Sequence, residues 1–304
     1  MLLARFRMAE TCAETCVVLD GKLIAEKVKS EVKQQVDSFI AKYSRAPCLH
    51  VVLVGEDPAS LVYVKNKAKA AKKIGIEGAT HRFSSEVRRA DLEDLILHLN
   101  RDDEVDGILV QLPLPAGIPE QDVLGLIDPI KDVDGLHVIN AGLLSAGRDA
   151  LVACTPQGCM RLIAEASVKL EGLNAVVVGR SNSVGKPLAQ LLLRHHATVT
   201  LAHSRTRDLG EVCGRADVLV AAVGSPMIIK GDWVKRGAVV IDVGINRLED
   251  GSMVGDVEYE VARQRASVIT PVPGGVGPMT IAYLLHNTVR AAIARKNRQV
   301  RPYA

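Results

Sequence analysis

The chain has 304 residues, 48% of them hydrophobic but only 3% aromatic, and its 38 basic and 35 acidic residues leave a net charge of +3. That length admits two domains with cores of Ala, Val, Leu and Ile, as in helix-covered parallel sheets. Near-balanced charge without a basic, aromatic-studded stripe argues against a nucleic-acid partner, and no apolar run reaches bilayer-spanning length, so no membrane association is expected.

The first eight residues, Met1-Leu-Leu-Ala-Arg-Phe-Arg-Met8, are apolar and basic but too short for a secretory signal, and Glu10 and Glu14 follow. They read as an untidy terminus with Met8 as a second start, an organelle-targeting remnant being the alternative. Residues 22–43 then form one long amphipathic helix. A buried strand at 49–54 ends at Gly55, and a Lys- and Ala-rich helix at 60–74 stops at Gly75. A second strand–helix pair covers 79–99, and a strand at 107–111 is ended by Pro113 and Pro115. After Pro156 the pattern restarts, with a strand at 175–178, a helix at 185–195, and strands at 197–201, 217–222, 238–243 and 266–270. A last helix over 279–296 ends in Arg295-Lys-Asn-Arg298, read as a solvated tail.

This βαβ repetition gives an α/β fold with parallel sheets in two domains around a cleft. Residues 1–156 form a catalytic domain, completed by the C-terminal helix 279–304, and residues 157–278 a Rossmann-like dinucleotide-binding domain. Cysteines at 12, 16, 48, 154, 159 and 213 form no Cys-x-x-Cys pair and have no histidine at zinc-ligand spacing. Such scattered thiols fit a reducing compartment, so the cytoplasm is expected.

Gly179-Arg-Ser-Asn-Ser-Val-Gly185 follows a strand and opens a helix, where a dinucleotide's pyrophosphate sits in a doubly wound fold. Its spacing departs from Gly-x-Gly-x-x-Gly, since Arg180 and Ser181 occupy the turn; an ordinary glycine turn is the alternative. An NAD site usually places an acid at the end of the next strand, about 20 residues on. Here that strand ends His203-Ser204-Arg205-Thr206-Arg207, so Ser204, Arg205 and Arg180 favour a 2′-phosphate and NADP over NAD.

Tyr63 and Lys67, four apart, share a helix face near the sheet's carboxyl edge, whereas Lys65, Lys69, Lys72 and Lys73 read as solvated. Gln111 follows the apolar 108–110 segment, and a core amide there would need a partner, so it is expected to point into the cleft. Lys131-Asp-Val-Asp-Gly135 offers two carboxylates without a third acid or histidine at ligand spacing, so no metal is expected. Pro271-Val-Pro-Gly-Gly-Val-Gly-Pro-Met-Thr280 holds three prolines and three glycines in ten residues, more constraint than a turn requires, and reads as a place where backbone lies against a ligand.

These segments, with Val17-Val-Leu-Asp-Gly-Lys22, Leu53-Val-Gly-Glu-Asp-Pro-Ala-Ser60, Asp106-Gly-Ile-Leu-Val-Gln-Leu-Pro-Leu-Pro115, Cys154-Thr-Pro156 and Asp242-Val-Gly-Ile-Asn246, run in order through nearly the whole chain. Together they resemble the bifunctional methylenetetrahydrofolate dehydrogenase/methenyltetrahydrofolate cyclohydrolases. The resemblance implies oxidation of 5,10-methylenetetrahydrofolate with NADP and hydrolysis of the methenyl cation to 10-formyltetrahydrofolate, usually in a homodimer. At this length the formyl-tetrahydrofolate ligase domain fused in some relatives is not expected.

By the same resemblance, Lys67 is the catalytic lysine with Gln111 beside it, Tyr63 lies against the aminobenzoate, and Asp134 anchors the pterin, with Asp132 structural. Val110, Leu112, Pro273, Gly274, Gly275, Gly277, Pro278 and Thr280 complete the folate site. Gly179, Arg180, Ser181, Ser204, Arg205 and Ile245 serve the cofactor. Two other readings remain open: a shikimate-type NADP-linked dehydrogenase on a similar scaffold, and a non-catalytic nucleotide- or folate-binding protein.

Overall fold

The computed structural model describes residues 16–297; the expectations for Met1–Met8, Cys12 and Arg298 lie outside them. The described chain opens with β1 (Val17–Val18) and α1 (Gly21–Tyr43). Asp20 starts α1 by accepting from the N–H groups of Lys22 and Leu23, at 2.9 and 3.1 Å. Ile24, Val28, Val32, Val36 and Phe39 then recur at helical spacing and are buried. β2 (Leu49–Val54), α2 (Pro58–Lys73), β3 (Thr80–Phe83), α3 (Arg89–Arg101) and β4 (Gly107–Val110) follow, and their strands pair in parallel in the order β3-β2-β4.

Three helices, α4 (Glu120–Leu124), α5 (Val138–Ser145) and α6 (Cys154–Glu165), lead to the second sheet. The next elements are β5 (Asn174–Val178), α7 (Gly185–Arg194), β6 (Thr198–Ala202), α8 (Leu209–Cys213), β7 (Val218–Ala221) and β8 (Val239–Asp242). A hairpin of β9 (Asn246–Arg247) and β10 (Met253–Val254), then α9 (Tyr259–Arg263), β11 (Val268–Ile269) and α10 (Val276–Asn297), complete it. The larger sheet is parallel, with six strands in the order β1-β11-β8-β7-β5-β6. Its order reverses between β5 and β7, the point at which doubly wound sheets bind ligands.

The two sheets share a core. α10 packs between α1 and α6, and one apolar cluster runs from Val51 and Val64 through Leu285 and Val289 to Val177 and Val220. Four features differ from the sequence expectations or add to them. The strand Val17–Val18 pairs with β11 at the edge of the second sheet, although the sequence groups it with the first domain. Helices α5 and α6 occupy a stretch to which the sequence assigns no element, and Pro156, the expected domain boundary, sits inside the first turn of α6, where its missing N–H costs nothing. The last helix begins at Val276, inside the glycine–proline segment. Arg295 is not solvated: it donates to Asp106, which is fully buried and also accepts from Arg45, so this corner of the tail is tied to the first sheet.

Candidate active site

α2 turns Ser60, Val64, Lys67 and Ala71 inward, so Lys67 is only 4% exposed while Lys65, Lys69, Lys72 and Lys73 face solvent. A buried ammonium needs a partner. Nζ of Lys67 donates to Oε1 of Gln111 at 3.0 Å and stands 4.5 Å from the centre of the Tyr63 ring. Gln111 itself is fixed: its N–H donates to Val52 in the sheet, and Nε2 donates to the Leu112 carbonyl at 2.7 Å. That second bond leaves Oε1 to face the lysine. Burial pushes the Lys67 pKa down, opposed by the charge of Asp134. Burial likewise pushes the Tyr63 hydroxyl up to about 12, and Asp134 adds to the rise.

Asp134 hangs from a clamped loop. Lys131, three residues before it, is 1% exposed, and its Nζ donates to the carbonyls of Leu99, Asn100 and Asp102, ending α3. Asp132 is buried and accepts from the Leu136 and His137 N–H groups and from Asn140 Nδ2, so its oxygens are taken up within the loop. Gly135 (φ 71°) has no space for a side chain, since a Cβ would lie 2.3 Å from the Val152 carbonyl carbon. From α10, Asn287 Nδ2 donates to the carbonyls of Val133 and Val152, both at 2.9 Å. Asp134 is left half-buried, its charge felt by Lys67, Tyr63 and Cys154.

A cleft of about 550 Å³ runs from this cluster towards the second sheet, with Tyr63, Thr155, Val243, Ile245, Gly277 and Thr280 in its walls. Thr155 and Thr280, on the packed helices α6 and α10, meet in its wall through hydroxyls 2.9 Å apart. Pro278 also lines it, whereas Pro273 is exposed and Leu112 packs half-buried beside the core. Val110 is 1% exposed among Val52 and Ile108, so only its backbone can meet a ligand. Gly275 is buried by the protein itself: a Cβ there would come 2.8 Å from Thr270 Cβ, and Gly21 of α1 abuts its carbonyl. Gly274 (φ 108°) makes the bend. The protein's own packing thus closes the Gly275 position to a side chain, and Gly277 stands in the cleft wall.

At the switch point, Gly179 (φ 125°) lets the turn after β5 cross β7, since a Cβ would sit 2.0 Å from the Ala222 carbonyl oxygen. Gly185 meets Gly179 as closely. Ser181 Oγ accepts from the N–H groups of Val184 and Gly185, at 3.1 and 3.3 Å, so it already caps the entrance to α7. Arg180, Ser204 and Arg205 are exposed in the turns after β5 and β6. A bare-backbone cradle flanked by guanidinium and hydroxyl groups fits a phosphorylated dinucleotide.

Models of the tetrahydrofolate dehydrogenase/cyclohydrolase catalytic domain and of the NAD(P)-binding domain of the same family match residues 19–134 and 153–296. The chain belongs to the tetrahydrofolate dehydrogenase/cyclohydrolase family. It is 58% identical to the bifunctional protein FolD of Sorangium cellulosum over 279 residues, covering 91% of this chain and 97% of that one. The crystal structure of the bifunctional FolD enzyme from Campylobacter jejuni superimposes with a TM-score of 0.90 at 46% identity, covering 93% and 99% of the two chains. The Trypanosoma brucei enzyme, solved with NADP and an inhibitor, does so with a TM-score of 0.88 at 37% identity, covering 94% and 99%. As a member of this family the chain is a methylenetetrahydrofolate dehydrogenase and methenyltetrahydrofolate cyclohydrolase; the shikimate-type and non-catalytic alternatives are not favoured.

Several supports of the site escape sequence reasoning. Lys131 and Asn287 act on backbone carbonyls far away in the chain, and no local spacing announces such bonds. Thr155 stands in the Cys154-Thr-Pro156 segment, yet only the fold brings it to Thr280.

Proposed function

We propose that Lys67, Gln111, Tyr63 and Asp134 carry both reactions of the family in the cleft between the two sheets. The observation that carries this reading is the buried Lys67, whose pKa is lowered by burial and whose hydrogen-bonding partner is a neutral amide. The folate carbon becomes cationic as hydride leaves, and a neutral amine does not repel it. The same amine takes a proton from the water attacking the methenyl carbon. Gln111 holds Nζ towards that carbon without adding charge. Tyr63 offers its ring to the aminobenzoate, and the Asp134 carboxylate accepts from a pterin N–H and its neighbouring amino group.

NADP, when bound, supplies the hydride acceptor. Gly179 and Gly185 let backbone approach its phosphates, while Arg180, Ser204 and Arg205 take the 2′-phosphate; Ile245 and Thr280 line the cleft beyond them. Residues 1–156 with α10 form the folate side and 157–278 the cofactor side. Assembly as a homodimer and residence in the cytoplasm belong to the same proposal: the family resemblance supports the first, the free thiols of the five described cysteines the second. No described helix is long and apolar enough to cross a membrane.

The test supplies methylenetetrahydrofolate with NADP or NAD and follows the absorbance of reduced cofactor and of the methenyl product, then the hydrolysis of added methenyltetrahydrofolate. Faster reduction of NADP than of NAD is expected. No reduction of either would remove the dehydrogenase assignment.

A further inference from the structure

Two buried carboxylates stand behind the cofactor side of the cleft and touch none of the residues given a role above. Asp256 is fully buried, and four donors converge on it. Oδ2 accepts from the N–H groups of Val223 and Gly224, at 2.7 and 3.0 Å. Oδ1 accepts from the Ser225 N–H and the Asn246 side-chain amide, at 3.0 and 2.9 Å. Asp242, itself 2% exposed, accepts in turn from the N–H groups of Asp256 and Val257, both at 2.9 Å, and of Gly244 at 3.0 Å. The fit leaves no slack: a Cβ on Gly244 would lie 2.3 Å from Asp256 Oδ1, and one on Gly255 1.9 Å from Asp242 Oδ2.

The groups held this way are the turns that leave the carboxyl ends of β7 and β8. The first turn lies beside Gly179, whose missing Cβ accommodates the neighbouring Ala222 carbonyl. The second carries Ile245 into the wall of the cleft that Tyr63 and Thr280 also line. Each turn leaves one large apolar side chain open, Val223 at 36% and Ile245 at 58% exposure. They lie on the far side of the switch point from Arg180, Ser204 and Arg205, towards the folate side.

We propose that Asp256 is a positioning residue for the nicotinamide end of the cofactor site, fixing the 223–225 turn and the Ile245–Asn246 turn as one rigid wall. The inference rests on the assignment of NADP to this cleft. A carboxylate is needed because it offers two acceptor oxygens and no donor to four converging N–H groups. An asparagine would keep one acceptor and turn an NH2 group against two of the donors, so both turns would have to move.

Hydrolysis of the methenyl group needs no redox partner, so the enzyme contains its own control. Asp256→Asn is measured for the KM of NADP, the KM of methylenetetrahydrofolate, calorimetric NADP binding and cyclohydrolase kcat/KM on one preparation. The NADP KM and Kd are expected to rise about tenfold, the scale of one lost charge-assisted hydrogen bond, with cyclohydrolase within about twofold of the parent. Asn246→Ala removes one donor of the four and leaves the carboxylate, so it serves if the first variant does not fold; there the NADP KM rises about threefold. Unchanged NADP affinity in a folded variant, or cyclohydrolase falling in step with it, would overturn the proposal. The parent enzyme separates the two claims: if it neither binds nor reduces NADP, the cofactor assignment fails, and Asp256 with it.

Discussion

Nζ of Lys67 donates to Oε1 of Gln111 at 3.0 Å, and the far end of that amide is held by the Leu112 carbonyl at 2.7 Å. The lysine arrives from a helix and the amide from a strand end, so their distance is set by the packing of α2 on the sheet. An amide orients a neutral or a charged amine equally, whereas a carboxylate at the same place would hold the proton on it. The choice of Gln111 leaves Lys67 free to change protonation state during turnover.

Replacing Lys67 by Met keeps the aliphatic stem and removes the base. Cyclohydrolase activity is expected to fall by about 100-fold or more, the usual share of a general base, while part of the hydride transfer survives. Both activities are measured on the same protein. Full retention of both would remove Lys67 from the mechanism.

The lowered Lys67 pKa fixes the sign of the pH response. The neutral amine is the active base, so cyclohydrolase rises with pH through that pKa and then levels off. Gln111→Glu puts a carboxylate beside the amine and raises its pKa, so the profile moves to the alkaline side and activity at neutral pH falls at least about tenfold. Stability changes in parallel. Between the lowered pKa and the ordinary 10.5 the unfolded chain binds one more proton, so parent stability rises with pH across that window. The Glu variant should lose most of this slope in denaturant titrations at several pH values; an unshifted rate profile would contradict the role given to Gln111.

Helix α1 and the parallel strands were legible because Asp20 caps a periodic apolar face and each strand is a short apolar run between turn residues. Lys67 was separable from its neighbours through its helical pairing with Tyr63 and the family resemblance. Helix α5 was not, since Val138–Ser145 is short and too apolar to show two faces, and Pro156 reads as a boundary although it lies in the first turn of α6. Gly275 shows a different limit. Composition registers that a side chain is excluded, but not whether the obstacle is a ligand or, as here, Thr270 and Gly21.

Lys131 closes the end of α3 with three hydrogen bonds from a side chain that is 1% exposed. Lys131→Met fills the volume but leaves three carbonyls without their donor. A loss of about 3 kcal/mol is expected in chemical denaturation, roughly 1 kcal/mol for each bond. The Asp132–Asp134 loop starts at this lysine, so the KM for folate should rise while the KM for NADP stays close to the parent value. Parent-like stability would show that the three bonds contribute little.

Gly21 opens α1 directly against the 271–278 turn, and a Cβ on it would lie 1.8 Å from the Gly275 carbonyl oxygen. Backbone on both sides cannot yield as a long side chain would, so Gly21→Ala must push the turn away from α1. The turn runs straight into α10 at Val276, and one helical turn later Thr280 meets Thr155 in the cleft wall. Overpacking here should cost about 1–3 kcal/mol and lower both activities together, because α10 also braces the Asp134 loop through Asn287. Gly142 in α5 provides the contrast, with nothing within 4 Å of its Cβ position. Gly142→Ala should be neutral, or stabilise by up to about 1 kcal/mol through helix propensity, with both activities kept. If the two alanine variants proved equally stable and equally active, the contact between α1 and the 271–278 turn would not be what holds this side of the cleft.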